Sequence, residues 1–400
     1  MKREFDLSAT QSQDFLRYFK ASIRNPKTGM IHGDGQGRFK DDFYETEQSV
    51  SFEYKGKKLF VAWKVIQYPD GRLKSIENTS AVGDATEFDK LLTEFISDIF
   101  EKVINRKKEK FFQRTYLTTV YDETLQGEYW IEGFRFAPLF PDDDCTLINA
   151  ERIFVIDQSI EAVDRSHATE IARRNSSTIA SYLSFILDLG LDEPEHEVKY
   201  FLHKEKDVEM LRNSTQLIDT NFPEKMPKKG EHCPHVTFEG SIYDTVRNIV
   251  GQPLTCPTET RKIFRKVSEA SEEIQEAFNS ASRMYQLALI LGKRRPSIRA
   301  AYQYGAIDSI IQSNKKKYKG FTVFMSRYAD TNKDLCELIH SKIRSAHWHA
   351  GHLPLGEMRH ELDTIYEVSD MPITMISMEI QKIMRLALIN WLDEQIAFSK

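Results

Sequence analysis

The sequence has little of three things: cysteine, long apolar runs and excess charge of one sign. Its 400 residues include four cysteines, too few for a disulfide scaffold. A polar stretch follows Met1 where a signal peptide would be apolar, and no apolar run reaches the roughly 18 residues that span a bilayer. We therefore expect a cytoplasmic, reduced protein that has no membrane partner.

The charge is small overall but unevenly distributed. The formal net charge is −5, which does not suggest a general nucleic-acid coat. Residues 258–400 hold 21 Lys+Arg and 17 Asp+Glu, so this part is +4 and the remainder is −9. The positive charge of the C-terminal part is thus compatible with a site that binds a polyanion.

Hydrophobic periodicity predicts an α+β protein. The N-terminal region alternates apolar and polar residues over several stretches, around a hairpin at Lys55-Gly56-Lys57, which indicates an antiparallel sheet. After residue 258 nearly every segment has helical spacing, beginning with a long amphipathic stretch over Thr260–Leu291, which predicts an all-α bundle. We predict three parts: an α+β regulatory or sensor domain (1–160), a helix with an irregular linker subdomain (161–257) and a helical bundle (258–400).

Three weaker motifs are interpreted as ordinary loops. The glycine-rich stretch 32–37 is not followed by a helix, so we expect a flexible loop rather than a nucleotide site. The run Asp142-Asp143-Asp144 has no second ligand cluster. His232-Cys233-Pro234-His235 and Cys256 together supply zinc-type ligands, but the second half of such a site has only one cysteine, so a loop is favoured over zinc.

The densest cluster of chemically active side chains is Ile343–Gly356, IRSAHWHAGHLPLG. It contains Arg344, Ser345, His347, His349 and His352, together with a tryptophan. Arg344 and His349 are separated by four residues, and Arg344 lies near the end of a helix that the pattern predicts over Thr331–Ala346.

This pattern resembles the R-x4–6-H motif of HEPN ribonucleases. The context, Ile339-His340-Ser341-Lys342-Ile343-Arg344-Ser345 and then His349-Ala350-Gly351, is similar to that of the ApeA-like HEPN family. The helix Tyr302–Ile310, with Asp308 at a place that is often acidic, and a closing helix over Ile380–Leu392 extend the resemblance to about the last 140 residues. Many HEPN motifs have Asn, Asp or His directly after the arginine, where this chain has Ser345.

The resemblance implies that residues 258–400 form a HEPN-like bundle that cuts RNA without a metal or other cofactor. It implies Arg344 and His349 as the catalytic pair, a homodimer in which both chains complete one cleft, and a role in antiviral defence by abortive infection. A phage-derived trigger or regulatory partner would then act through the N-terminal region. Ser345 and His347 are expected to support the site.

The residue types suit this chemistry. Histidine transfers protons near neutral pH, and the arginine fork stays charged and binds phosphate oxygens. On a straight α-helix Arg344 and His349 would lie about 140° apart, whereas Arg344 and His347 would share a face, so the helix is expected to loosen near His349. Lys293, Arg294 and Arg295 are predicted to bind the RNA backbone.

Two alternatives remain open. A non-catalytic HEPN module would bind RNA or a partner protein, and Ser345 favours this alternative slightly. A metal hydrolase would use His347, His349 and His352, but their spacing is poor for metal binding from a helix and no H-E-x-x-H pattern is present.

Overall fold

A computed structural model of the chain describes residues 2–23, 35–40, 42–79, 85–105, 108–119, 125–139, 145–147, 152–162, 165–193, 199–205, 208–214, 223–244, 253–292, 295–331, 333–344, 355 and 371–399. The chain forms two compact units. Unit 1 comprises Met1–Glu109 with Ala162–His167, and unit 2 comprises Lys110–Glu161 with Ala168–Lys400.

Unit 1 is an antiparallel sheet of five strands with two helices. The strands lie in the order β1-β5-β4-β3-β2. Their bounds are β1 Lys2–Glu4, β2 Gly35–Lys40, β3 Phe43–Tyr54, β4 Lys57–Gln67 and β5 Leu73–Asn78, and the helices are α1 Ala9–Ile23 and α2 Ala85–Asn105. The glycine-rich stretch expected to be a loop enters β2 at Gly35, so that prediction was wrong for Gly35–Gly37.

The predicted hairpin between β3 and β4 is confirmed, and its turn explains the register. Lys55 and Gly56 both have positive φ, 48° and 73°, which is the geometry of a two-residue turn that matches strand twist. The turn pairs Tyr54 with Lys57 and places Val50 opposite Val61. These valines face a buried core that also contains, from the helices, Phe15, Phe19, Leu92, Phe95, Ile96 and Ile99.

Unit 2 begins with a four-stranded antiparallel sheet in the order β6-β10-β8-β7. Its strands are β6 Glu109–Thr119, β7 Tyr129–Ile131, β8 Phe134–Pro138 and β10 Arg152–Ala162. One face packs on the long helix α3, Arg165–Leu187, through Phe134, Phe136, Phe154 and Ile156. The opposite face carries Ala137, Leu139, Ile153 and Val155, which pack with Cys233 of the irregular segment 223–244.

A small three-stranded sheet, β12-β11-β9, was not expected from the sequence. Its strands are β9 Cys145–Leu147, β11 Lys199–Glu205 and β12 Val208–Ser214, all antiparallel. An irregular subdomain was predicted where β11 and β12 lie. Lys206-Asp207 between them lacks the glycine that marks a tight hairpin turn, so the usual signal was missing.

The C-terminal part is helical, as predicted. The helices are α4 Thr260–Glu269, α5 Glu272–Gly292, α6 Pro296–Ser313, α7 Lys315–Tyr318, α8 Phe321–Tyr328, α9 Lys333–Glu337, a π-helix Leu338–Arg344 and α10 Met371–Ile396. They share one large apolar core in which the side chains of Tyr285, Ile307, Phe324, Met384 and Trp391 are buried. Within the described ranges no helix is long and apolar enough to cross a membrane.

The first predicted helix of this part, 260–291, is broken in two. Ala270 is extended, with φ −72° and ψ 167°, and the side chain of Gln275 donates to the carbonyls of Ser268 and Ala270. Ser271 followed by two glutamates is a helix-start pattern that the continuous apolar stripe concealed.

Candidate functional site

Arg344 is the last residue of a π-helix. This helix covers Leu338–Arg344 and continues directly from α9. Its hydrogen bonds join residues five apart instead of four, so its turns contain more residues than those of an α-helix. The expectation of an ordinary α-helix over 331–346 was therefore wrong for Leu338–Arg344.

The π-helix is held on α6 through an aromatic contact. His340, which is exposed, meets the ring of Tyr304 edge-on, with 5.9 Å between ring centroids. Tyr304 is buried and stacks on Phe321 at 4.4 Å. Ile339, next to His340, is also fully buried in the common core. This contact positions the helix one turn before Arg344.

A second contact on α6 holds the chain after the motif. The backbone N–H of Leu355 donates to Oγ of Ser297 across 2.8 Å, and Leu355 packs against the helical core. Ser297 is fully buried in the first turn of α6. Tyr304 comes seven positions after Ser297, which is about 10 Å along a helix. The segment that contains the motif thus starts and ends beside the N-terminal half of α6.

The predicted catalytic and supporting side chains lie outside the part of the chain that the structure describes. The backbone of Arg344 is described but its side chain is not, and Ser345, His347 and His349 lie outside the described residues, as does His352. The structure therefore defines where the helix leading to the motif ends, and where the chain returns at Leu355.

The predicted RNA-binding loop lies beside that return point. Lys293 and Arg294 lie outside the described residues, but Arg295 is exposed and directly precedes α6, two residues from Ser297. Its backbone N–H donates to the carbonyl of Gly292 at 3.1 Å. A Cβ on Gly292 would lie 2.4 Å from Cβ of Arg299, so only glycine allows α5 and α6 to approach this closely.

The other residues that carried the family resemblance are helical. Asp308 is partly exposed on α6, four residues after Tyr304, and accepts a hydrogen bond from Nε2 of Gln312 at 3.3 Å. The segment Ile380–Leu392 lies within α10, and its Ile380, Met384 and Leu388 share the core of α6.

The cysteine and histidine motif around Cys233 does not form a metal site in the described part of the chain. Cys233 and Cys256 are buried in different core clusters, on opposite faces of the four-stranded sheet. No group of three metal-type ligands occurs among the described residues. Burial raises the pKa of the Cys233 thiol to about 11, which makes it a poor nucleophile.

Sequence reasoning missed a row of buried charges across this sheet. Arg114 donates to both carboxylate oxygens of Asp157, at 2.7 and 2.8 Å, and Arg135 links Asp157 to Glu128. Two positive and two negative charges offset one another, and every carboxylate is bonded, so the row holds the sheet together rather than transferring protons. Arg135 lies between two phenylalanines of a buried strand, and a charge in such a place was the available signal.

A second buried arginine, Arg385 on α10, was also missed. Its guanidinium donates to the carbonyls of Phe185, Ile186 and Ile242, at 2.6, 3.2 and 3.3 Å. The first two are carbonyls of the last turn of α3, which have no partner within the helix. Arg385 therefore joins the sheet-bearing part of unit 2 to its helical part.

Comparison with known proteins gives no relative. No protein-family model, no curated protein and no solved structure matches this chain. The resemblance to HEPN ribonucleases rests on the Arg344–His349 motif and on the order of the helices around it.

Proposed function

We propose that this protein is a metal-independent endoribonuclease of HEPN type, with Arg344 and His349 as its catalytic pair. The observation that carries the proposal is the placement of Arg344 at the end of a π-helix, within a segment that two contacts hold on α6. π-helical turns occur frequently at functional sites.

The helix that leads to the motif departs from α-helical winding before the motif begins. On a straight α-helix the five-residue spacing of Arg344 and His349 would separate the two side chains by about 140°. The proposed pair therefore requires the chain to depart from α-helical winding by His349. The π-helix Leu338–Arg344 supports such a departure, because the chain is no longer wound as an α-helix where Arg344 is reached.

The proposed reaction is an attack by the 2′-oxygen of RNA on the adjacent phosphorus. The 2′-hydroxyl loses its proton, the new P–O bond closes a 2′,3′-cyclic phosphate, and the bond to the 5′-oxygen breaks as that oxygen gains a proton. Arg344 stabilises the charge that grows on the phosphate, and His349 transfers one of the two protons. The second transfer falls to a second copy of the chain in a homodimer, with Ser345 and His347 as supporting contacts.

Lys293, Arg294 and Arg295 would hold the RNA backbone beside this site. Arg295 is exposed and lies two residues from Ser297, which binds the chain after the motif. Cations near a cleavage site bind phosphates without sequence preference and make the affinity dependent on salt. In a cell, RNA cleavage would serve antiviral defence by abortive infection, with a phage-derived trigger acting on the N-terminal region.

The second candidate function is a non-catalytic HEPN module that binds RNA or a partner protein. Ser345 favours it, because a hydroxyl replaces the amide, acid or imidazole found after the arginine in many HEPN motifs.

Cleavage of total RNA and of tRNA in excess EDTA tests the proposal. Arg344→Ala and His349→Ala should each lower cleavage by at least a hundredfold, the scale of a lost acid–base or phosphate-binding group. Arg265→Ala and His232→Ala serve as matched controls, since both side chains are exposed elsewhere in unit 2, and they should cleave as wild type does. Activity that survives in both motif variants would overturn the assignment.

Toxicity on expression separates the two candidate functions. A nuclease should slow growth, and His349→Ala should relieve the effect. A binding module should be harmless in both forms. Activity that EDTA removes would instead point to a metal hydrolase.

A further inference from the structure

A cavity of about 500 Å³ lies within unit 2. Its walls come from the turn between β7 and β8, from β10, from α3 and from the corner between α4 and α5. Pockets for small molecules have volumes of about 300 to 1,000 Å³. The volume of this cavity falls within that range, and its lining has both apolar and polar side chains.

Three aromatic rings form its apolar wall. The centroid of Phe264 is 5.1 Å from that of Phe134 and 5.4 Å from that of Tyr182. Phe134 and Tyr182 are buried, whereas Phe264 is only partly buried. Of these three rings, Phe264 is therefore the one that has surface left for a planar ring to stack on.

The polar groups of α5 present a fixed acceptor and a fixed donor. Gln275 uses its amide nitrogen for two backbone carbonyls, at 3.2 and 2.8 Å, which leaves Oε1 as an acceptor. The hydroxyl of Tyr182 donates to Oδ1 of Asn279 at 2.5 Å, which leaves Nδ2 as a donor. Burial raises the pKa of Tyr182 to about 12, so the hydroxyl keeps its proton near neutral pH. Gln275 and Asn279 are four residues apart and share one face of the helix.

Charges of both signs lie at the rim. Arg174 on α3 is exposed and pairs with Glu170 at 3.5 Å, and Glu132 lines the same cavity. Exposed pairs of this kind contribute little to stability. Because the lining carries both signs, net charge does not favour an anionic or a cationic ligand, and shape and hydrogen bonding remain as the means of selection.

We propose that this cavity binds a single unpaired nucleobase, carried by a nucleotide. An aromatic wall with a fixed acceptor beside a fixed donor suits a base, whose edges present donors and acceptors in set places. A sugar hydroxyl both donates and accepts, so its recognition does not need such fixed groups. The site goes beyond the proposed cleavage activity and uses none of its residues.

Calorimetric titration of the full-length protein with the four ribonucleoside 5′-monophosphates tests the site, with ribose 5-phosphate as the ligand that lacks a base. At least one nucleotide should bind with a Kd below about 1 mM, and ribose 5-phosphate should not. Absence of binding by all four nucleotides, or equal binding of ribose 5-phosphate, would overturn the proposal.

Two tryptophan variants on the same helix locate the binding. Thr178 is exposed and lines the cavity, so Thr178→Trp should fill it and weaken binding at least tenfold. Arg173 is exposed on α3 and does not line the cavity, so Arg173→Trp should bind as wild type does. Melting by circular dichroism confirms that both variants fold. Unchanged affinity in folded Thr178→Trp would place the nucleotide elsewhere and overturn the proposal.

A competition experiment identifies the source of the base. A single-stranded 2′-O-methyl octanucleotide cannot undergo attack by a 2′-hydroxyl, so it stays intact whatever the nuclease activity is. If it displaces the mononucleotide, the cavity accepts a base of RNA. If it does not, the ligand is a free nucleotide. Either outcome is consistent with a nucleobase site in this cavity. If the protein did not cleave RNA, that result would not contradict the site, because the site uses none of the proposed catalytic residues.

Discussion

Arg135 Nε donates to Oε2 of Glu128 across 2.6 Å, and both side chains are buried. The same guanidinium donates to Asp157 at 2.7 Å and to the sulfur of Cys233 at 3.4 Å. Glu128 also accepts the backbone N–H of Gly230 at 2.7 Å. The ion pair of Arg135 and Glu128 therefore joins strand β8 to the irregular segment 223–244, since Arg135 contacts Cys233 and Glu128 binds Gly230 of that segment.

Arg135→Met should destabilise unit 2 by about 3 to 5 kcal/mol, because Glu128 would stay buried without its main cationic partner. Equilibrium unfolding in urea, followed by circular dichroism, measures the change. Arg173→Met, at an exposed position of α3, should alter the free energy of unfolding by less than about 0.5 kcal/mol.

A double-mutant cycle checks the cause of that loss. Arg135→Met with Glu128→Gln removes both charges, so the double variant should lose less stability than the sum of the single losses, by about 1 to 3 kcal/mol. Additive losses would show that the two groups do not act as a pair.

The pH dependence of stability should reflect the bonding of Glu128. Burial by itself raises the pKa of Glu128, but hydrogen bonds from Arg135, Gly230 and Trp130 outweigh it, and the pKa lies below its ordinary value of 4.5. A carboxyl with a lowered pKa stabilises the fold fully above its unfolded pKa and loses this effect as the pH falls through its folded pKa. Near neutral pH, the free energy of unfolding of wild type should thus exceed that of Glu128→Gln by an amount that does not change with pH.

That free-energy difference should shrink below about pH 4.5, as Glu128 takes up a proton in the unfolded and then in the folded chain. Urea titrations at intervals from neutral to acid pH measure it. A difference that grows on acidification would contradict a lowered pKa.

Ser297→Ala should disturb the motif segment more than its matched control. It removes the acceptor of the Leu355 N–H and should cost about 1 kcal/mol. If the proposed function holds, RNA cleavage should also fall, because the chain after His349 loses its contact with α6. Ser313→Ala, which removes a bond within the exposed end of the same helix, should affect neither quantity strongly. Equal effects of the two variants would rule out a role for the Ser297 contact.

The described thiols should be unreactive in the folded protein. Cys233, Cys256 and Cys336 are free and buried, and burial raises the pKa of Cys233 to about 11. In Cys145→Ser, Ellman's reagent should therefore detect almost no thiol before denaturation and three equivalents after it. Rapid labelling of the native variant would contradict the burial.

Much of the fold was predictable because local patterns agree with it. Period-two alternation predicts β3 and β4, and their turn residues predict the hairpin. Helical spacing predicts α2 and α6, whose apolar stripes are buried. The β11–β12 hairpin and the break between α4 and α5 were missed, because neither has a strong turn residue in the sequence.

The candidate site was predictable only as a set of residues. The spacing of Arg344 and His349 is a property of the chain, and the family resemblance follows from it. The π winding of Leu338–Arg344 was not predictable, because the apolar spacing of this segment fits an α-helix and does not mark hydrogen bonds that join residues five apart.

The sequence by itself therefore determined many of the element types and apolar faces, and it supplied the proposed catalytic pair, since these depend on residues close together in the chain. Tertiary structure alone decided which distant groups meet. Arg385 reaches the end of α3 from 200 residues away, Arg135 meets Glu128 and Cys233, and Leu355 returns to Ser297. Such contacts follow from burial of polar groups, which must find partners wherever the folded chain places them.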